Sequence, residues 1–167
     1  MKKIYAVCLP VLAYGMFIAE LILIIGHPVR CLYEKNISEY EEETVRMPEG
    51  EYVCGFDRHE VNGEDPFLTA EVSGWLARQE NGRWKPVTAQ LLLAGADKSY
   101  KVRSYGVKRA DVYYTEQSDP DSRDLYIGHL SRFPASVLET GEYRLGFLLE
   151  ESGEPAVYWT EDTITVP

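Results

Sequence analysis

From Gly50 onward the apolar residues of this chain recur at every second position. Tyr52, Cys54 and Phe56 alternate with other residues, and Leu68, Ala70, Val72, Gly74 and Leu76 stand against Thr69, Glu71 and Ser73. Val87, Ala89, Leu91 and Leu93 follow, then Tyr100 and Val102 against Lys101 and Arg103. Ile127, Leu130 and Phe133 come after a polar stretch, and Tyr143, Leu145, Phe147 and Leu149 alternate strictly. Val157 with Trp159, then Ile164 with Val166, complete the chain. A period of two puts successive side chains on opposite faces, which is the geometry of a half-buried strand and incompatible with a helix.

The runs are short and separated by turn clusters: Asn62-Gly63, Asn81-Gly82, Gly95-Ala96-Asp97, Ser118-Asp119-Pro120-Asp121-Ser122 and Ser152-Gly153-Glu154-Pro155. Seven or eight short strands with turns between them predict an all-β antiparallel sandwich over residues 51–167.

The other end of the chain follows a different rule. Lys2 and Lys3 precede a run from Ile4 to Gly26 whose single charged residue is Glu20. A run of that length spans a bilayer as a helix, and it is longer than the apolar core of a cleaved signal peptide. The basic N-terminal flank predicts an N-in signal anchor over residues 1–30, with the C-terminal domain extracytoplasmic and the protein in the cell membrane. Glu20 is costly within lipid and is read as a contact to a partner helix. Gly15 and Ala19 share the small-xxx-small spacing that lets two helices approach closely.

Residues 31–50 read as an acidic stalk rich in glutamate, with a helix expected from about Ser38 to Arg46: Ser38 stands at capping-box spacing from Glu41. The chain carries 27 acidic and 17 basic residues, a formal net charge of −10. That balance argues against nucleic acid, whose affinity for protein comes largely from cations on phosphates. Of the three cysteines, Cys31 and Cys54 fall outside the anchor, either bridged or as two free thiols.

Leu138, Gly141 and Tyr143, in the run Leu138-Glu139-Thr140-Gly141-Glu142-Tyr143, resemble the tyrosine corner of immunoglobulin-like and fibronectin type III domains. Gly74-Trp75, Arg109-Ala110-Asp111-Val112 and Tyr158-Trp159-Thr160 also look like parts of extracytoplasmic β-sandwich modules of bacterial cell-envelope proteins. The resemblance implies the sandwich and not a ligand.

Chemistry is sparse. His27, His59 and His129 are far apart, and no second histidine completes a zinc motif after His59-Glu60. No nucleophile elbow occurs. Asp119, Asp121 and Asp124 are the calcium candidates, but Arg123 takes a ligand position and no calcium-binding pattern is complete. No cofactor is expected. Trp84, in the expected hairpin tip Asn81–Pro86, is read as exposed, and Tyr113 and Tyr114 lie near Arg109 and Asp111. Those five are the candidates for binding a partner or a glycan. The reading is a non-enzymatic, membrane-anchored adaptor that binds a protein partner at the cell envelope. A module for glycan or surface polysaccharide is the alternative, and an envelope hydrolase the second alternative.

Overall fold

The computed structural model describes residues 16, 35–41, 46–64, 68–112, 126–151 and 153–167. Among the described residues, ten strands form two antiparallel five-stranded sheets. They are β1 (Ile37–Tyr40), β2 (Glu51–Asn62), β3 (Thr69–Glu80), β4 (Arg83–Pro86), β5 (Ala89–Ala94), β6 (Ser99–Val102), β7 (Tyr105–Val107), β8 (Gly128–Pro134), β9 (Gly141–Glu151) and β10 (Glu154–Val166). One sheet runs β1-β6-β5-β9-β10. The other runs β2-β3-β8-β7, with β4 pairing the far end of β3.

Strands β2, β3, β8 and β7 facing β6, β5, β9 and β10 form an arrangement compatible with an immunoglobulin-like sandwich. Tyr143, at the start of the penultimate strand, donates its hydroxyl to the Glu139 carbonyl at 2.8 Å. Leu138 packs in the core beside it. Tyr143 therefore makes the local bond that the resemblance implied.

The alternation reads correctly over most strands. Ala70, Val72, Leu91, Leu93, Tyr100, Val102, Phe133, Tyr143, Leu145, Ile164 and Val166 make one core cluster. Leu76, Ala89, Phe147, Leu149 and Ala156 make the next, against which Tyr52, Cys54 and Phe56 pack. Cys54 is a free thiol, and burial pushes its pKa up to about 11, so it stays protonated and inert. The β3–β4 turn is a two-residue hairpin in which Asn81 (φ 52°) and Gly82 (φ 74°) both take left-handed backbone, as such turns require.

Expectations for residues 31–50 and for β10 are corrected. Residues 31–50 are not a stalk throughout, because Ile37–Tyr40 pair with β6 as an edge strand and Arg46 bridges to Ala156 of β10. The expected helix from Ser38 begins in that strand, whose backbone groups are taken by the sheet. In β10 the inward residues are Ala156 and Tyr158. Val157 and Trp159 lie on the other face, opposite Leu148 and Gly146; Val157 is buried there as the alternation implied, and Trp159 is half-buried with its ring lying across Gly146. No helix among the described residues is long and apolar enough to cross a membrane. The run at 4–26, with Gly15, Ala19 and Glu20, lies outside the described residues apart from Met16.

Candidate functional site

The outward face of β2, β3 and β4 is not a bare surface. Trp75, on the opposite face of β3 from core Leu76, stacks on Trp84 of β4 with ring centroids 5.2 Å apart and planes 16° apart. Ala77, Trp84 and Ile127 form a small cluster, with Val53, Trp75 and Val112 packed against it. The segment after β7 thus roofs this end of the sheet. Trp84 is 6% exposed, which corrects the reading of an exposed ring at a hairpin tip. The hairpin is there, but its tryptophan turns toward the roof and not toward solvent.

Arg109 fastens that roof. Its Nε donates to Asp111 Oδ1 at 3.0 Å and its Nη2 to Asp111 Oδ2 at 2.8 Å. Its Nη2 also reaches Asp57 Oδ1 at 3.3 Å, and its Nη1 contacts Asp57 Oδ2. Asp57 sits at the irregularity of β2 between Phe56 and Arg58, where the extra residue re-aims a side chain away from the regular ladder. Gly128 makes room for the arginine stem: a Cβ there would stand 2.5 Å from Arg109 Cγ. The hydrogen bonds from Arg109 hold the Asp111 carboxyl below its ordinary range.

Arg109 and Asp111, two of the binding candidates, are thus engaged with each other, and Asp57 joins them unforeseen. Nothing in the sequence marks Asp57, because a bulge has no residue signature of its own. Tyr113, Tyr114, Asp119, Asp121 and Asp124 lie outside the described residues. Among the described residues, no group of three or more His, Cys, Asp or Glu is placed to hold a metal ion. Glu60, beside Arg58 and Asn62, is also held low, the opposite of the raised carboxyl that a glycoside hydrolase needs in its acid.

The Arg109 side chain is 18% exposed and its partner Asp57 41%, so solvent screens the pair substantially. A double-mutant cycle of Arg109→Met with Asp57→Asn is expected to give a coupling of about 1 kcal/mol in low salt. Urea unfolding of the four proteins measures it. The coupling should fall by about half in roughly 0.5 M salt; a value unchanged by salt would contradict an ion pair at the surface.

Two aromatic rings do stand exposed beside this roof. Tyr105 of β7 is 46% exposed and Tyr126 is 50% exposed. Arg103 lies over the Tyr105 ring at 5.3 Å, and Lys108 over the Tyr126 ring at 5.2 Å. In a protein of net charge −10, this rim at the β7 edge gathers cations and rings together.

Behind the rim lies His129 of β8, 6% exposed. Its ring faces Phe147 at 5.5 Å. Ser131, two residues on, bonds Ser104 at 2.8 Å, and the Ser104 hydroxyl accepts from the Leu91 N–H at 3.0 Å. The inward face of β8 is thus partly polar. The sequence reading chose Leu130 for that face, because His129 and Ser131 interrupt the apolar alternation. Comparison with family models, with curated proteins and with solved structures finds no match.

Proposed function

We propose that this chain is a membrane-anchored, non-enzymatic adaptor whose extracytoplasmic immunoglobulin-like sandwich binds a protein partner at the cell envelope. The observation that supports it best is the β7 rim. Strand β7 is only three residues long and pairs on one side with β8. Tyr105 opens it and Tyr126 stands beside it, each with a cation over its ring. Tyrosine and arginine are the residues that anchor protein interfaces, since they bring large area, little conformational freedom to lose and a polar tip. An acidic or polar strand from a partner meets complementary charge here, on a protein whose overall charge repels acidic surfaces elsewhere. The apolar run 4–26 supports the anchor, and Gly15, Ala19 and Glu20 would join it to a partner helix.

The test is site-specific photocrosslinking of the full-length protein in its own membranes. Probes at Tyr105 and Tyr126 should trap one discrete protein, and a probe at Glu60 on the far side of the sheet should not. Tyr105→Ala is expected to reduce capture at the Tyr126 probe at least about tenfold, the effect of losing one interface anchor. Equal trapping at Glu60, or none at the rim, would remove the support. The polymer-binding alternative rests on exposed rings. It loses Trp84, which is buried, Tyr113 and Tyr114 lie outside the described residues, and the exposed rings that could serve it instead are Tyr105 and Tyr126.

A further inference from the structure

The two sheets end in β1 and β10 on one side of the sandwich and in β2 and β7 on the other. An open edge offers unpaired main-chain groups to any extended segment that meets it. Two of these edges are interrupted. β2 breaks its register between Phe56 and Arg58. β10 breaks its own between Trp159 and Thr163, and the bridge from Arg46 takes Ala156. Such irregularities blunt an edge. β1 keeps its register, but its neighbouring cation Lys98 is already held by Glu39 and Glu139. β7 pairs in register with β8, and among the described residues nothing pairs with its other side.

Charge singles out the same edge. Arg58, Arg78, Lys98, Arg109, Arg132 and Arg144 each have a carboxylate within ion-pair distance. Lys35, Lys101, Arg103 and Lys108 are exposed and have none among the described residues. These four gather around β7. Lys108 follows it directly. Lys101 belongs to β6, and Arg103 to the turn that leads from β6 into β7. Lys35 adjoins Asn36, whose carbonyl accepts from the Arg103 N–H at 2.7 Å and whose side chain accepts from the Tyr105 hydroxyl at 3.3 Å. Acids outnumber bases in this chain, 27 to 17, so an internal carboxylate is easy to find. The cations left without one sit together, two of them lying over the exposed rings of Tyr105 and Tyr126.

We infer that the partner contributes an acidic, extended segment, which lies along β7 as an added strand and sets its carboxylates on Arg103 and Lys108. The inference rests on the partner surface proposed above and names the chemistry that this surface selects. In strand addition the main chain supplies affinity and alternate side chains supply specificity. At most about 17 Å of extended chain separates Arg103 from Lys108, so a segment of about six residues covers both. A basic segment is repelled by the four cations, and a neutral one leaves them uncompensated. A bilayer or a phosphate polymer uses the cations but has no N–H or C=O to pair with a strand. Range argues the same way. Physiological salt screens charges beyond about 8 Å, so a narrow segment feels the local cations. A broad anionic surface also meets the rest of a chain whose net charge is −10.

The experiment measures fluorescence anisotropy of labelled peptides on the full-length protein in a zwitterionic detergent. The probes are a peptide of about eight residues alternating glutamate and valine, its glutamine counterpart, and the glutamate peptide N-methylated throughout, which keeps the charge and removes every main-chain donor. The glutamate peptide should bind saturably, with a dissociation constant of about 0.1–1 mM in low salt. The glutamine and N-methylated peptides should each bind at least about fivefold more weakly. Arg103→Glu with Lys108→Glu is expected to weaken binding of the glutamate peptide at least about tenfold. Arg83→Glu with Arg144→Glu makes the same change in net charge elsewhere and should alter it by less than about twofold. Equal binding of the glutamate and glutamine peptides, or equal loss in the two double variants, overturns the acidic partner. Unweakened binding of the N-methylated peptide overturns strand addition. Tighter binding of polyphosphate or of phosphatidylglycerol vesicles than of the glutamate peptide overturns both and assigns the edge to phosphate. The photocrosslink at Tyr126 is read separately: discrete capture that persists in Arg103→Glu with Lys108→Glu keeps the partner surface and removes only its acidic ligand.

Discussion

Phe147→Ala is expected to lower the unfolding free energy by about 4 kcal/mol, within the range measured for truncating buried phenylalanines. Phe147 is fully buried in β9. It pairs laterally with Leu91 of β5 and Tyr158 of β10, so it sits in the middle of its sheet. Across the sandwich its ring stacks on Phe56 at 4.7 Å with the planes 2° apart, and it also meets His129. The remaining buried members of its cluster are Leu76, Ala89, Leu149 and Ala156. Two of those four are alanines, which cannot swing into the space a benzyl group leaves. The hole therefore stays largely open, and the cavity term adds to the lost transfer energy. Urea unfolding of the full-length protein, followed by tryptophan fluorescence, measures it. A loss below about 1 kcal/mol would mean that the two sheets do not pack through this ring.

The same residue shows why the fold was legible. The run Tyr143, Leu145, Phe147, Leu149 is a pure period of two, and the structure turns all four inward. Tyr143 carries a second, local signal, since its hydroxyl reaches a carbonyl four residues upstream and needs no distant partner. Readings that depended on distant chain failed. The exposure of Trp84 is decided by Val112 and Ile127, which come back over the hairpin from far along the sequence. The strand at Ile37–Tyr40 exists because β6 offers an edge; Ser38 and Glu41 alone spell a helix start, and tertiary pairing overrides that local preference. Tyr158-Trp159 offers two large rings in succession, and pattern alone cannot say which faces in. The register with β9 chooses Tyr158, because Trp159 falls opposite Gly146, where an indole can lie flat on the sheet.

The polar positions of β8 were hidden for a different reason. A buried strand is recognised by its apolar residues, and β8 breaks that rule at two inward positions, His129 and Ser131. Ser131 has an internal partner in Ser104 and reads as a satisfied core hydroxyl. His129 is satisfied at one nitrogen only. Sequences depart from local consistency mostly where function or strain demands it. Here the departure is next to the exposed tyrosine rim, which ties the weakest point of the sequence pattern to the surface with the most recognisable chemistry.

His129 also sets the acid sensitivity of the fold. Burial lowers its pKa from an ordinary 6.5 to about 4 in the folded state. Between those values the unfolded chain holds a proton that the folded protein does not, so unfolding free energy rises with pH through this window. The penalty is absent above about pH 6.5, grows as pH falls, and is complete below about pH 4, where it amounts to roughly 3 kcal/mol. No charged group offsets this: Phe147 and the Val87 backbone meet the ring, and the cavity that His129 lines carries no Asp, Glu, Lys or Arg. Two other effects bear on the same interval. Falling pH relieves the self-repulsion of a chain with net charge −10, which favours the folded state. Asp111 and Glu60 have folded pKa values held low, so their stabilisation is present above the ordinary carboxylate range and is lost only as pH falls below it. The His129 contribution is therefore isolated between about pH 4.5 and 6.5, and best as a difference between two proteins. Urea midpoints of the full-length protein should fall more steeply over this interval than those of His129→Phe, by up to about 1.4 kcal/mol per pH unit at mid-window. The comparison uses slopes, so a constant stability offset in the variant does not matter. Parallel pH profiles would show that the imidazole is already paired or exposed in the folded protein.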